Sequence, residues 1–232
     1  MFTKEVKLKE FISNNILPKP TNMKKYITEF IGTFFLVLTI GLTVNGGAGN
    51  MAPLAIGAAL MVMVYAGGHI SGAHYNPAVT LAVLVRGRIT VADAVPYMIV
   101  QVIGAIAAAF TVKCLIGEDK MPAAASVNPA AMKALIAEAL GTFALCYVVL
   151  NVATAKANAA NSYFGLAIGF TITAMAYSLG AFSGGAFNPA VAVGISFMKM
   201  VSWSDIWIYM AGCFGAAIIA GIVFKLNNAD DK

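Results

Sequence analysis

The chain has 232 residues, of which 60% are hydrophobic and 11% charged, with a formal net charge of +5; ordinary soluble domains average about 45–50% apolar and about 25% charged. A soluble monomer is excluded. The basic balance would suggest nucleic acid in a soluble protein, but here the lysines gather at the ends of apolar stretches, so it is read as a topology signal and no nucleic-acid partner is expected.

In chain order, residues 1–23 carry Lys4, Lys7, Lys9 and Lys19 with Glu5 and Glu10, lack the apolar centre of a signal peptide, and read as a basic cytoplasmic leader. Apolar spans follow at 24–44, 52–68 and 95–116, then, after a polar loop at 117–133, at 134–152, 162–180 and 206–224, with a tail at 226–232. A helix needs about 20 residues to cross a hydrocarbon core of about 30 Å, so these six predict an all-α, multi-pass membrane protein. Two shorter apolar pieces, 77–86 and 189–197, are left over. As helices they reach roughly 15 Å, half a bilayer, and can enter the membrane without crossing it. Cys114, Cys146 and Cys213 fall inside spans without a Cys-x-x-Cys pair and read as small core residues.

The two halves of the chain match. Glu29-Phe30-Ile31-Gly32-Thr33-Phe34 returns as Glu138-Ala139-Leu140-Gly141-Thr142-Phe143 at an offset of 109. Ala55-Ile56-Gly57, Ser71-Gly72 and Asn76-Pro77-Ala78-Val79 return as Ala167-Ile168-Gly169, Ser183-Gly184 and Asn188-Pro189-Ala190-Val191 at an offset of 112. Each repeat, 24–116 and 134–225, holds three full spans, an odd number, so the second starts from the opposite face and the repeats are inverted. The two half-helices then enter from opposite sides and their N-termini meet near the midplane. Lys24, Lys25, Arg86, Arg88, Lys156 and Lys225 fall on one side and Lys113, Lys120, Lys133 and Lys199 on the other. With the leader lysines added, the positive-inside rule places both termini in the cytoplasm; the expected location is the cell (inner) membrane.

In both short helices Asn stands where an N-cap belongs and Pro at the first helical position. A third copy, Asn128-Pro129-Ala130, lies in a polar loop without a counterpart and reads as an ordinary helix start. Two N-termini facing each other place about +0.5 charge each at mid-membrane, which repels cations. Each capping Asn uses its side-chain oxygen on its own helix, which leaves its NH2 to donate into the lumen. Neutral solutes that accept hydrogen bonds could pass.

The run Gly68-His69-Ile70-Ser71-Gly72-Ala73-His74-Tyr75-Asn76-Pro77-Ala78-Val79-Thr80, with Asn188-Pro189-Ala190 at this spacing, resembles the aquaporin, or major intrinsic protein, family over residues 24–225. The resemblance implies six spans and two half-helices, a pore in each protomer, a homotetramer, no cofactor or metal and no enzymatic activity. It implies that Glu29 and Glu138 accept from and orient the loops before the half-helices, and that His69 and His74 belong to the motif used for loop folding. A proton relay through the glutamates and a metal on the two histidines are the rival readings; nothing else acidic lies in the spans, and no third ligand is near.

The filter positions implied by the resemblance are Ile56, Ala176, Gly185 and Val191, and here the sequence departs from the family. Water channels of this kind usually carry Arg where Val191 stands, with aromatic and His residues opposite. All four residues are small or apolar, and replacing Arg and His with Val and Ala should widen the constriction and remove a fixed cation and several donors. The expected permeants are water and small uncharged solutes such as glycerol, urea or ammonia. The alternatives are a strict water channel with an atypical filter, a structural or adhesive membrane protein, and an intramembrane Ser enzyme.

Overall fold

The computed structural model describes residues 20–124, 126–127 and 130–231. Residues 1–19 of the leader, and Asn128 and Pro129 of the third Asn-Pro-Ala, lie outside them. Eight α-helices follow among the described residues: α1 Pro20–Asn45, α2 Ala52–Ser71, α3 Pro77–Arg86, α4 Val91–Ile116, α5 Ala131–Val149, α6 Phe164–Ser183, α7 Pro189–Phe197 and α8 Ile206–Asn227. The order long, long, short, long therefore occurs twice, and six helices are long and apolar enough to cross a membrane.

The half-helices match the sequence expectation residue for residue because punctuation is strong at their starts: Asn76 and Asn188 cap, and Pro77 and Pro189 open. Gly87, at φ 86°, closes α3. The long helices overrun the hydropathy limits. α2 and α6 continue through three further residues to Ser71 and Ser183, and α4 begins at Val91 with Thr90 accepting from the Asp93 N–H as its cap. Five residues after α5, Leu150–Thr154, form a π-turn.

Each short helix packs on a long helix of the other half, α3 on α8 and α7 on α4, while α2 crosses α6. That crossing explains the repeated Ala-Ile-Gly: a Cβ on Gly169 would stand 2.5 Å from the Gly57 carbonyl oxygen, and one on Gly57 would strike Thr173. Small residues let backbones approach where lipid gives no hydrophobic drive for helix association. Large apolar side chains such as Phe35, Ile103, Phe110, Leu140, Phe170 and Ile219 are exposed outward, as a lipid-facing surface requires. Cys146 and Cys213 are buried as expected, but Cys114 is exposed near the end of α4.

At one end of the bundle Asp231 ties three segments together. The Arg86 and Arg88 guanidiniums donate to its Oδ1 at 2.8 and 3.2 Å, and the Lys156 N–H donates to Oδ2 at 2.9 Å. Arg86, at the end of α3, also lies over the Phe224 ring at 4.5 Å. The Lys156 N–H and the Arg86 charge hold the Asp231 carboxyl below its ordinary range. A carboxyl depressed by folding stabilises the latch above its unfolded value and loses that contribution as pH falls through the depressed one. Asp231→Asn should therefore speed amide hydrogen exchange in the 155–161 loop at neutral pH, and wild type should approach that rate only in acid; equal protection in the two proteins at neutral pH would contradict the latch.

Candidate channel site

Glu29 on α1 and Glu138 on α5 are both fully buried, and each meets a different bend of the chain in the same way. Glu29 Oε1 accepts from the Ser71 hydroxyl at 2.6 Å and the His74 N–H at 2.9 Å, and Oε2 from the Tyr75 N–H at 2.7 Å and the Gln101 amide at 2.8 Å. Glu138 Oε1 accepts from the Ser183 hydroxyl at 2.6 Å and the Ala186 N–H at 2.9 Å, and Oε2 from the Phe187 N–H at 2.7 Å and the Cys213 thiol at 3.6 Å. A carboxyl in a membrane costs about 2.5–3.5 kcal/mol on insertion scales, and four donors apiece offset that cost. The Tyr97 and Tyr209 hydroxyls complete the match by donating to the Ser71 and Ser183 carbonyls.

These bends need outside support because their backbone is strained. Ala73, Tyr75 and Phe187 hold φ of 51°, 50° and 48°, a left-handed conformation that costs a non-glycine residue roughly 1–2 kcal/mol. The repeated Glu-x-x-Gly makes room for them. One turn beyond each glutamate, a Cβ on Gly32 would collide with the Tyr75 ring and one on Gly141 with the Phe187 ring. Glutamate thus holds the bend and glycine admits its aromatic side chain.

Held this way, the two half-helix N-termini face each other. Asn76 Oδ1 accepts from the Ala78 N–H at 2.8 Å and Asn188 Oδ1 from the Ala190 N–H at 2.9 Å, as N-caps. Their amides cross over: Asn76 Nδ2 donates to the Phe187 carbonyl and Asn188 Nδ2 to the Tyr75 carbonyl, each at 2.9 Å. This corrects the expectation that the whole NH2 serves the lumen, since one of the two N–H groups joins the opposing bend and one remains.

A cavity of about 510 Å³ runs past this meeting point. Asn76 and Asn188 line it, and so do Ile56, Ala176, Gly185 and Val191, four positions drawn from α2, α6, the second bend and α7. Most of the remaining lining is aliphatic, including Leu36, Ile40, Leu60, Leu145 and Ile172. His74 also lines it, its Nδ1 3.1 Å from Thr80 Oγ1. His69 does not take part. Because α2 runs on as helix to Ser71, His69 sits exposed on its last turn, with no bond to the bend among the described residues; the loop-orienting role expected of it is corrected. Ser71 and Ser183 are held alike by carboxyls, with no histidine on either hydroxyl.

The sequence model of the Major intrinsic protein family matches residues 12–224. The chain belongs to this family. It is 36% identical over 222 residues, 90% of this chain and 100% of the relative, to glycerol uptake facilitator protein-like 6 of Lactiplantibacillus plantarum. Aquaporin NIP1-1 of Zea mays is 35% identical, over 90% of this chain and 77% of that protein. The fold is shared with the crystal structure of the aquaglyceroporin from Plasmodium falciparum, at a TM-score of 0.69 and 21% identity, covering 89% of this chain and 97% of that one. As a major intrinsic protein the chain is a multi-pass membrane channel for water and small solutes, and not an enzyme.

Reading the residues in order did not reveal Tyr75, Phe187, Gln101, Tyr97 or Tyr209 as parts of the site. Tyr97 and Tyr209 stand 112 residues apart, as do Gln101 and Cys213, so the repeat spacing carried a usable signal for them.

Proposed function

We propose that this major intrinsic protein conducts water and small uncharged solutes, of the class of glycerol, urea and ammonia, through a wide apolar filter, and excludes ions by the opposed dipoles of α3 and α7. The observation that carries this reading is that Ile56, Ala176, Gly185 and Val191 all line one cavity with Asn76 and Asn188. None of the four filter side chains offers a charge or a donor, so selection by fixed charge and lining donors is relaxed. Cation exclusion then falls to the half-helix N-termini, where about +0.5 charge each meets at the Asn pair.

The repeats 24–116 and 134–225 are inverted in this reading, with both termini in the cytoplasm of the cell that carries the chain in its inner membrane. Two clusters of opposite location support it: Arg86, Arg88 and Lys156 gather at Asp231, whereas Lys113 and Lys199 lie 3.3 and 3.9 Å from Glu118. A homotetramer is the assembly the family resemblance implies.

Val191→Arg tests the filter. It places a cation and donors at the constriction and narrows it, so in proteoliposomes the glycerol-to-water permeability ratio should fall several-fold relative to wild type. The ratio is the readout because Arg without its usual aromatic and His partners also lowers the amount of folded channel. A ratio unchanged at measurable flux would remove Val191 from the constriction.

A further inference from the structure

We propose that Gly180 is a specificity-determining residue of this channel: its missing side chain leaves a bay beside the filter that admits neutral solutes broader than water. The proposal deepens the wide-filter reading above and rests on it. Gly180 lies in α6, three residues before its end at Ser183, and lines the same cavity as Ile56, Ala176, Gly185 and Val191. Ile168, Ile172 and Ala176 precede it on α6 at four-residue steps and line that cavity too, so this side of the helix faces the lumen. Gly180 stands one turn, about 5.4 Å, beyond Ala176 and farther from the midplane. A Cβ on Gly185 would come 3.1 Å from its Cα. It therefore adjoins two of the four filter positions.

Packing does not account for a glycine here. At every glycine inside the α-helices except Gly180 and Gly215, an added Cβ would meet another atom at 3.4 Å or closer, the close approach that small residues serve in membrane helices. At Gly180 an added Cβ meets no atom within 4 Å. Gly215 shares that freedom, but it is exposed on α8 and does not line the cavity. Backbone geometry does not account for it either, since Gly180 is helical whereas Gly184 and Gly185 hold φ of 86° and 67°. Glycine is also the poorest helix former apart from proline. The repeat sharpens the contrast: at Gly68, 112 residues earlier, a Cβ would rest 3.4 Å from the Phe164 ring. Gly68 thus has a neighbour where Gly180 has open lumen.

The direction of the missing side chain ties it to the filter. In a helix each Cα–Cβ bond leans toward the N-terminus, so a side chain at 180 would lie over the turn that carries Ala176. Ala176, Gly180 and Gly185 together offer nothing larger than one methyl group, whereas the other two filter residues, Ile56 and Val191, carry branched chains. The spare width of the lumen is thus concentrated on the side of α6. The carbon skeleton of a neutral solute can rest there while its hydroxyls turn toward the Asn pair. Water needs no such room. Because pore diameter and lining set selectivity, bulk added at 180 should hinder the larger solute before it hinders water.

The test is stopped-flow permeability of proteoliposomes to water, glycerol and urea, with the melting temperature in detergent, for wild type, Gly180→Ala, Gly180→Leu and, on the outward side of α8, Gly215→Leu. The glycerol-to-water ratio should fall in the order wild type, Ala, Leu, by several-fold at Leu, while Gly215→Leu leaves it at the wild-type value. Gly180→Ala should melt no lower than wild type, since it improves the helix and displaces nothing. That variant also keeps the test intact if leucine impairs folding. A wild type that passes glycerol, with a ratio unchanged in both Gly180 variants, overturns the bay while the wide-filter reading stands. A Gly180→Ala protein that melts well below wild type overturns it too, because the glycine would then be serving the fold. A wild type that passes water and excludes glycerol, urea and ammonia overturns the wide-filter reading and the bay with it.

Discussion

The Glu29→Gln, Glu138→Gln double variant yields little or no monodisperse protein in detergent, and each single variant yields several-fold less than wild type. Each carboxyl takes four donors on two oxygens, and two of the four are backbone N–H groups of a strained bend: His74 and Tyr75 at Glu29, Ala186 and Phe187 at Glu138. A glutamine offers one oxygen. Whichever way its amide turns, an NH2 faces a backbone N–H, and a buried donor left unpaired costs about 1–3 kcal/mol. The side-chain partners can adapt, since the Gln101 amide can flip to offer its buried, unpartnered oxygen; the backbone donors cannot. With the positive-φ residues no longer compensated, the bend loses its reason to stay inside the membrane. Selectivity of whatever protein does fold should stay close to wild type. A proton relay predicts the reverse, so normal yield with a new pH dependence of transport would contradict the holding role. Size-exclusion profiles and flux at two pH values decide between them.

Asn76→Asp and Asn188→Asp produce the largest change in what passes. Each substitution removes the amide that donates to the opposite bend, Phe187 or Tyr75, and sets a carboxyl oxygen against that carbonyl. The lost bond alone is worth about 0.5–1.5 kcal/mol, and the negative charge offsets the dipole field of the two half-helices where it is meant to exclude cations. Solute flux per folded channel should fall several-fold, or membrane conductance to monovalent cations should rise above the wild-type background. Proteoliposome swelling and planar-bilayer current measure the two. Unchanged flux together with unchanged conductance in either variant would take these residues out of the pore.

How much of this could be read from the residues in order depends on whether the cause is local. The half-helices were legible to the residue, because Asn, Pro and Gly act within a turn of themselves. The importance of Glu29 and Glu138 followed from a buried charge at repeated positions. The ends of α2 and α6 were not legible from hydropathy, since Ser71 and Ser183 are polar residues kept helical by a carboxyl 42 and 45 residues away in sequence. His69 was misplaced for the same reason. It sits in a contiguous motif with His74, but the helix leaves it exposed on its last turn while the bend brings His74 to the cavity. The second use of each Asn amide needed the opposing bend, 111 or 113 residues distant. Cys213 looked like a small core residue, and it is one, yet at the repeat spacing it stands where Gln101 does and donates to Glu138 as Gln101 donates to Glu29.

The central claim, a channel that is wide for neutral solutes and closed to ions, is tested most directly by one preparation of wild-type proteoliposomes assayed in parallel for water, glycerol, urea and ammonia permeability and for ionic conductance. The account predicts water flux above protein-free vesicles, flux of at least one of the three other solutes, and conductance at background. Water flux with glycerol, urea and ammonia all excluded, or an ionic current that scales with the amount of protein, would contradict it.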